Sequence, residues 1–473
     1  VVHYLYGGIR RQPGADRLSG AAQVQLSVLL GVFVLAKGVD YWIDRYDLLT
    51  DGSGLITGMT YTAENAELPA KEILAAIAVI CAVLFFVNVW RRTWILPGVG
   101  LGLLLLSAVL LGLVWPGLVQ RFQVLPTEAD REESYIQANI DATRDAYQLE
   151  DTVEEPYSPE SDPEAAPLAA AALNAEGIRL VDPAVVPPTF EQSQQVRGYY
   201  SVPEVLDVDR YPVNGVERDM VLGVRELNQA GISEGSQNWQ NLHTVYTHGY
   251  GVVAAFGNQR PANNSEAVAG GAGDGLAFAE QDLPPRGELT DQSPDGYEGR
   301  IYFGENSPLY SIVGKPSEDS PSIELDLPSG TEGSDGDSTN TYDGADGVSV
   351  GNLFNQLLYA VKFGEPNIVL SGRVNDNSKI MYDRDPALRV EKVAPWLTVD
   401  SDPFPAVIDG RVQWIIDGYT LTDRFPQSEK ESFDEMTDDS LANDNQFQTL
   451  PTDEVNYIRN AVKATVDAYD GTV

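Results

Sequence analysis

Trp94–Leu118, WILPGVGLGLLLLSAVLLGLVWPGL, carries no charged residue and is the third of three apolar runs near the start of the chain. Ile73–Val89, ILAAIAVICAVLFFVNV, precedes it, and Gln23–Val39 precedes that, with Lys37 as its only charge. The hydrocarbon core of a bilayer, about 30 Å thick, takes about 20 apolar residues as a helix, and amides in lipid leave a single span no other conformation. The runs predict an α-helical transmembrane region over residues 1–118, with spans at about 23–39, 73–89 and 94–118. The remainder of the chain is acidic and polar, and reads as one large water-facing part.

Lys and Arg near span ends favour the cytoplasm, whereas Asp and Glu count for little. Arg10, Arg11 and Arg17 precede the first span, and Arg91 and Arg92 separate the second from the third. The intervening loop Asp40–Glu72 holds Asp44, Asp47, Asp51, Glu64 and Glu67 against Arg45 and Lys71, so it is assigned to the outside. Three crossings from a cytoplasmic start place Val119–Val473 outside too. The expected location is the plasma membrane, multi-pass, with the large C-terminal domain outside the cytoplasm. Lys37 lies near the outer end of its span and is expected to snorkel toward Asp40 or Asp44. With Asn88 it is the notable polar group in spans too apolar to form a channel alone.

Seventy acidic residues against 31 basic ones give a formal net charge of −39. That balance excludes nucleic acid as a partner, since binding it needs a basic footprint. It also repels anionic headgroups, so attachment rests on the spans, and the excess itself reads as solubility. The single cysteine, Cys81, lies in the second span, so the outer domain must hold together by its core.

Residues 119–149 read as an amphipathic juxtamembrane helix starting at Thr127, with Tyr135, Ile136, Ile140, Thr143 and Tyr147 on one face. An acidic linker at 150–166 leads to an extracytoplasmic domain over 167–473. Two hairpins are expected there, one about Asn214-Gly215 and one joining Phe404–Ile408 to Val412–Ile416 through Asp409-Gly410, because those pairs accept positive φ. Leu353, Phe354, Leu357, Leu358, Val361 and Phe363 recur at helical spacing and predict one buried helix. Gly257–Arg300, Lys315–Gly347 and Thr422–Asp453 are polar tracts expected to be mobile. The domain therefore reads as α+β and strand-rich. Both ends look open: Val1 falls in a basic inter-helix loop, and Val462–Tyr469 followed by Asp470-Gly471 looks like half a hairpin. The strand is expected to pair with a segment beyond Val473.

Several segments together resemble uncharacterised protein family 0182, large actinobacterial integral membrane proteins. They are Tyr41-Trp-Ile-Asp-Arg-Tyr46-Asp47, Tyr135-Ile-Gln-Ala-Asn-Ile140, Thr244-Val-Tyr-Thr-His248-Gly-Tyr-Gly251, Arg300-Ile-Tyr-Phe-Gly-Glu305, Ser378-Lys-Ile-Met-Tyr-Asp-Arg-Asp385 and Asp409-Gly-Arg-Val-Gln-Trp414 with Asp417-Gly-Tyr419. The resemblance implies a multi-span region, here its last three helices, before a large extracytoplasmic domain. It brings no activity and no catalytic residues.

Two patterns carry chemistry. Gly347-Val-Ser349-Val-Gly351 before a helix, with His248-Gly-Tyr-Gly251 upstream, has the form of a nucleophile elbow and an oxyanion-hole motif. No buried strand precedes Ser349, and none of His3, His243 and His248 follows it, so Ser349 reads better as a helix cap. Asp335, Asp337, Asp343 and Asp346 gather oxygen ligands suited to weak calcium binding, but the sixth place of the loop is Asn340 rather than glycine, and a solvated loop is the preferred reading. Arg384, among Asp376, Asp383 and Asp385, is expected to pair with those acids rather than hold an anionic ligand. No cofactor is expected. The leading functional expectation is a membrane-anchored binding or scaffolding protein of the cell envelope, in contact with lipid through three or more helices and with other envelope membrane proteins. A part in envelope transport or lipid export, and a serine hydrolase acting on envelope esters, are the alternatives.

Overall fold

The computed structural model describes residues 19–52, 54–149, 151–156, 179–195, 197–259, 275–328, 338–437 and 453–473. The chain divides into two compact units, one of residues 1–158 with 422–432 and 452–457, the other of 159–421 with 433–451 and 458–473.

In the first unit Ser19 caps α1 (Gly20–Ile43), its Oγ accepting from the Ala22 amide at 3.3 Å. Helix α2 (Leu68–Arg91) packs along α1 through small residues, as helices in lipid do where apolar burial gives no drive to associate. A Cβ on Gly38 would lie 3.3 Å from Ala78 Cβ, and one on Gly31 would strike the Phe86 ring at 2.8 Å. Asn88 donates to Ser27 Oγ at 2.9 Å across the same seam, and Lys37 pairs with Asp40 as its position suggests.

The third helical run passes through several segments. Helix α3 (Ile95–Val109) passes through the π turn Leu110–Val114 into α4 (Trp115–Val119), and the π turn Gln120–Val124 and the 3-10 turn Leu125–Thr127 lead into α5 (Glu128–Ala146). Thr127 stands at the start of α5 as expected, with φ −141° and ψ 45°, but its hydroxyl caps no amide and donates back to the Gln123 carbonyl at 3.4 Å. Pro116 and Pro126 each enter at the first turn after a π turn, where a missing N–H costs least. Gly20–Leu49, Ala63–Arg91 and Ile95–Ala146 are all long and apolar enough to cross a membrane.

The second unit is a strand-rich assembly of antiparallel sheets. Strands β1 (Asp207–Val213) and β2 (Val216–Val224) form the expected hairpin, with Val213 opposite Val216 and positive φ at Asn214 and Gly215. β3 (Val252–Phe256), β4 (Phe278–Gln281) and β5 (Arg286–Gly287) complete a five-stranded sheet in chain order. β6 (Tyr310–Val313), β7 (Val348–Ser349) and β8 (Lys379–Tyr382) form a second sheet with β8 in the middle. In a third, β11 (Arg411–Thr422) pairs with β9 (Thr398–Val399), β10 (Phe404–Ile408) and β12 (Tyr457–Asp467). The second expected hairpin is β10–β11, turning at Asp409 and Gly410 with φ of 50° and 74°. Trp414 on β11 is wholly buried beside Met220, Leu222 and Val466, its indole N–H donating to the Phe303 carbonyl at 2.7 Å.

Three expectations are corrected. The strand thought to lack a partner has one, because β12 pairs with β11, and the Ala468 amide continues the ladder to the Val412 carbonyl at 2.9 Å. The helix over 353–363 exists but is not buried. The polar tracts contain ordered structure: β4 and β5 lie in the first, Glu324–Leu325 pairs with Thr339–Asn340 in the second, and Glu431–Ser432 pairs with Glu454–Val455 around the third.

Buried carboxylates order loops of the first two tracts and the turn between them. Glu324 accepts from the Gly314 and Tyr342 amides at 3.3 and 3.1 Å and from the Tyr302 hydroxyl at 2.5 Å. Glu280 accepts from the Leu289 and Thr290 amides at 2.9 and 3.1 Å, and Glu226 from the Glu305 and Asn306 amides at 3.2 and 2.7 Å. Each satisfies loop N–H groups that no strand pairs. Part of the acidic excess thus works inside the fold.

Candidate functional site

Ser349 ends the two-residue β7, opposite Lys379 on β8, and its side chain is exposed. Its carbonyl accepts from the Asn355 side chain at 2.8 Å. The neighbouring glycines serve packing, since a Cβ on Gly351 would lie 2.1 Å from the Asp376 carbonyl and Gly347 sits at φ +101°. The helix cap is Asn352, whose Oδ1 accepts from the Asn355 amide at 2.8 Å, so the expectation that Ser349 caps is corrected by three residues.

His248 is buried. Its Nδ1 lies 3.0 Å from Thr247 Oγ1, its ring stacks on Tyr302 at 4.5 Å, and Nε2 approaches Asp326 Oδ1 at 3.5 Å, an ion-pair separation too long for a good hydrogen bond. The stronger partner of Asp326 is Arg300, which forks onto its two oxygens at 2.7 and 3.2 Å and also holds Glu298 at 3.0 Å. Burial pushes the Asp326 carboxyl up, but its contacts with His248 and Arg300 outweigh that and bring it to about 2. Among the described residues Ser349 and His248 share no hydrogen bond or ion pair. Gly251, read as part of an oxyanion motif, has φ +80° and packs against Pro285, and Gly249 lets the Arg225 carbonyl approach.

The calcium candidates separate likewise. Asp343 accepts from the Tyr469 hydroxyl, and Asp346 pairs with Arg389 at 3.3 Å, so their oxygens serve different partners. Asp335 and Asp337 lie outside the described residues. Among the described residues no cluster of three or more His, Cys, Asp or Glu is arranged to hold a metal ion. A cavity of about 240 Å³ beside β7 is lined by Val348, Tyr382, Asp346, Asp383, Arg389 and Lys392, and its charges pair across it as Arg389–Asp346 and Lys392–Asp383.

Arg384 also departs from expectation. It is buried and donates to the Tyr302 carbonyl and Ser311 Oγ, each at 2.6 Å, and to the Thr247 carbonyl, while Asp385 caps the next helix by accepting from the Leu388 amide at 3.0 Å. Burial lowers the Arg384 guanidinium to about 10. It ties three segments together and is not free for a ligand. Glu226, missed by sequence reasoning because it looks like one more surface acid, is fully enclosed and pushed up by burial to about 7. Glu305 beside it is pushed up to about 9 by burial and by the Glu226 charge.

What remains uncommitted is a helix face. Helix α6 (Pro187–Gln194) is short, and the next, α7 (Leu353–Phe363), runs from the Asn352 cap to Gly364, which closes it at φ +66°. Tyr359, Ala360 and Phe363 turn inward onto Tyr310, Ile312, Val350, Ile368 and Ile380, with Tyr310 stacked on Phe363 at 4.5 Å. Lys362 lies over the Tyr382 ring at 3.5 Å. Leu353, Phe354, Leu357, Leu358 and Val361 face outward and are 50–82 % exposed. At 100° per residue these five occupy one arc of about 140° with no polar residue in it. Such a face can bind an apolar surface.

Among the described residues the fold thus has three long apolar helices followed by a strand-rich domain. The chain belongs to the uncharacterised protein family UPF0182, whose profile matches residues 1–473. It is 60% identical over 477 residues to a UPF0182 protein of Nocardioides sp. (strain ATCC BAA-499 / JS614), covering all of this chain and 47% of that protein. UPF0182 proteins of Streptomyces coelicolor and Frankia alni are 47% and 46% identical over 482 and 479 residues, again covering all of this chain and 46% and 45% of theirs. The chain spans about half the length of the curated relatives it matches. No solved structure matches it.

Proposed function

We propose that this chain is a membrane-anchored module of the cell envelope that works by binding, with its strand-rich domain outside the cytoplasm and other envelope components as its partners. The outward face of α7 is the observation that carries the reading. Five large apolar side chains on one helix are left uncovered by the described residues, and contiguous patches of that kind on a folded domain mark interaction sites. The acidic 40–72 loop and the Arg91-Arg92 turn support the orientation.

Two measurements test it. In a Cys81→Ala background, an impermeant maleimide applied to intact cells should label Glu154→Cys and leave Arg91→Cys unlabelled; the opposite pattern overturns the orientation. A photo-crosslinking amino acid at Leu357 should capture an envelope component in cells. If it reacts with water alone while positions in the spans capture lipid, the binding reading falls.

A further inference from the structure

We infer that the outward face of α7 docks on the lipid bilayer that the chain's own spans cross. This rests on the binding reading above and names its ligand. Composition is the first argument. Leu353, Phe354, Leu357, Leu358 and Val361 match the side chains left exposed on the spans, such as Leu29, Val32, Phe33, Leu103 and Leu105. Protein interfaces are built otherwise: their anchors are enriched in Trp, Tyr and Arg, with Leu and Val under-represented, and hydrogen bonds recur every 100–200 Å² or so. The α7 arc offers no donor or acceptor from a side chain.

Length and charge point the same way. Eleven residues make a helix of about 16 Å, too short to cross a bilayer but suited to lying in its interface. Residues 347–364 contain no acid and one cation, Lys362, in a chain of net charge −39. This is therefore a place where an acidic domain can approach headgroups without repulsion, and the same net charge disfavours a second copy as the occupant. The spans supply the remainder. A covalent tether turns docking into an intramolecular event at millimolar effective concentration, so a face too small for stable binding alone is sufficient.

The test uses the full chain in phosphatidylcholine nanodiscs, with Cys81→Ala and an environment-sensitive fluorophore on Leu357→Cys. Glu217→Cys on the β1–β2 hairpin is the control. Nitroxide-bearing lipid should quench position 357 at least twofold more than position 217, and aqueous iodide should do the reverse. If position 357 is shielded from both quenchers, protein in the disc covers it and the bilayer inference fails. If iodide quenches both positions equally and lipid neither, the face is open and the bilayer inference fails, while the binding reading is decided by the crosslinking in cells.

Discussion

Helix α7 and the loops gathered on Glu324 lie in the same unit and invert each other. The loop segment Lys315–Gly347 is polar in sequence, yet Glu324 and Tyr342 are enclosed within it. Helix α7 is apolar in sequence, yet none of its residues is fully buried. Burial of a residue follows what its neighbours can offer it. A carboxylate goes inside where unpaired amides and a hydroxyl converge, and a leucine stays outside where nothing in the described chain covers it.

The loop side of the comparison breaks most sharply at Glu324. Replacing it with Ala orphans the Gly314 and Tyr342 amides and the Tyr302 hydroxyl, at about 1–3 kcal/mol each. The expected loss is about 4 kcal/mol of unfolding free energy in the strand-rich unit, with strong proteolysis between β6 and β7. A variant that unfolds like the parent would mean the carboxylate organises nothing.

Glu226 sharpens the comparison through pH. Its carboxyl is raised from 4.5 to about 7, so the folded state binds its proton more tightly than the unfolded state does. That stability is fully present below pH 4.5 and is lost as pH rises through 7, which amounts to roughly 3 kcal/mol between pH 8 and pH 4.5. Urea unfolding across that range should show the gain on acidification, and Glu226→Gln should reduce it, with Glu305, raised to about 9 mainly by burial, supplying a remainder of the same sign. An unchanged slope in the variant assigns the dependence elsewhere.

Asp326 has the opposite sign. Lowered from 3.8 to about 2, it contributes about 2 kcal/mol that is present above pH 3.8 and lost as pH falls through 2. Asp326→Asn should weaken the unit at pH 7, where Arg300 loses its forked partner, and should leave it little changed relative to the parent at pH 2. Equal destabilisation at both pH values would point to packing rather than charge.

The smallest effect belongs to α7. Leu357→Ala removes a side chain already half exposed and should change the unfolding free energy in detergent by less than about 0.5 kcal/mol. A loss above 2 kcal/mol would show the leucine packed after all, and would erase the contrast with Glu324.

The sequence by itself determined the features that depend on neighbouring residues. The long apolar runs needed only length and hydropathy, and the Asn214-Gly215 and Asp409-Gly410 turns needed only residues that accept positive φ. The tertiary structure decided whatever depends on distant partners. It showed that β12 pairs with β11, that Arg384 bonds carbonyls of Thr247 and Tyr302 rather than its flanking acids, and that His248 and Ser349 do not meet. It also decided which way α7 faces. Helical periodicity tells which residues share a face, but covering that face is a collective result of packing, and here the chain covers the other side.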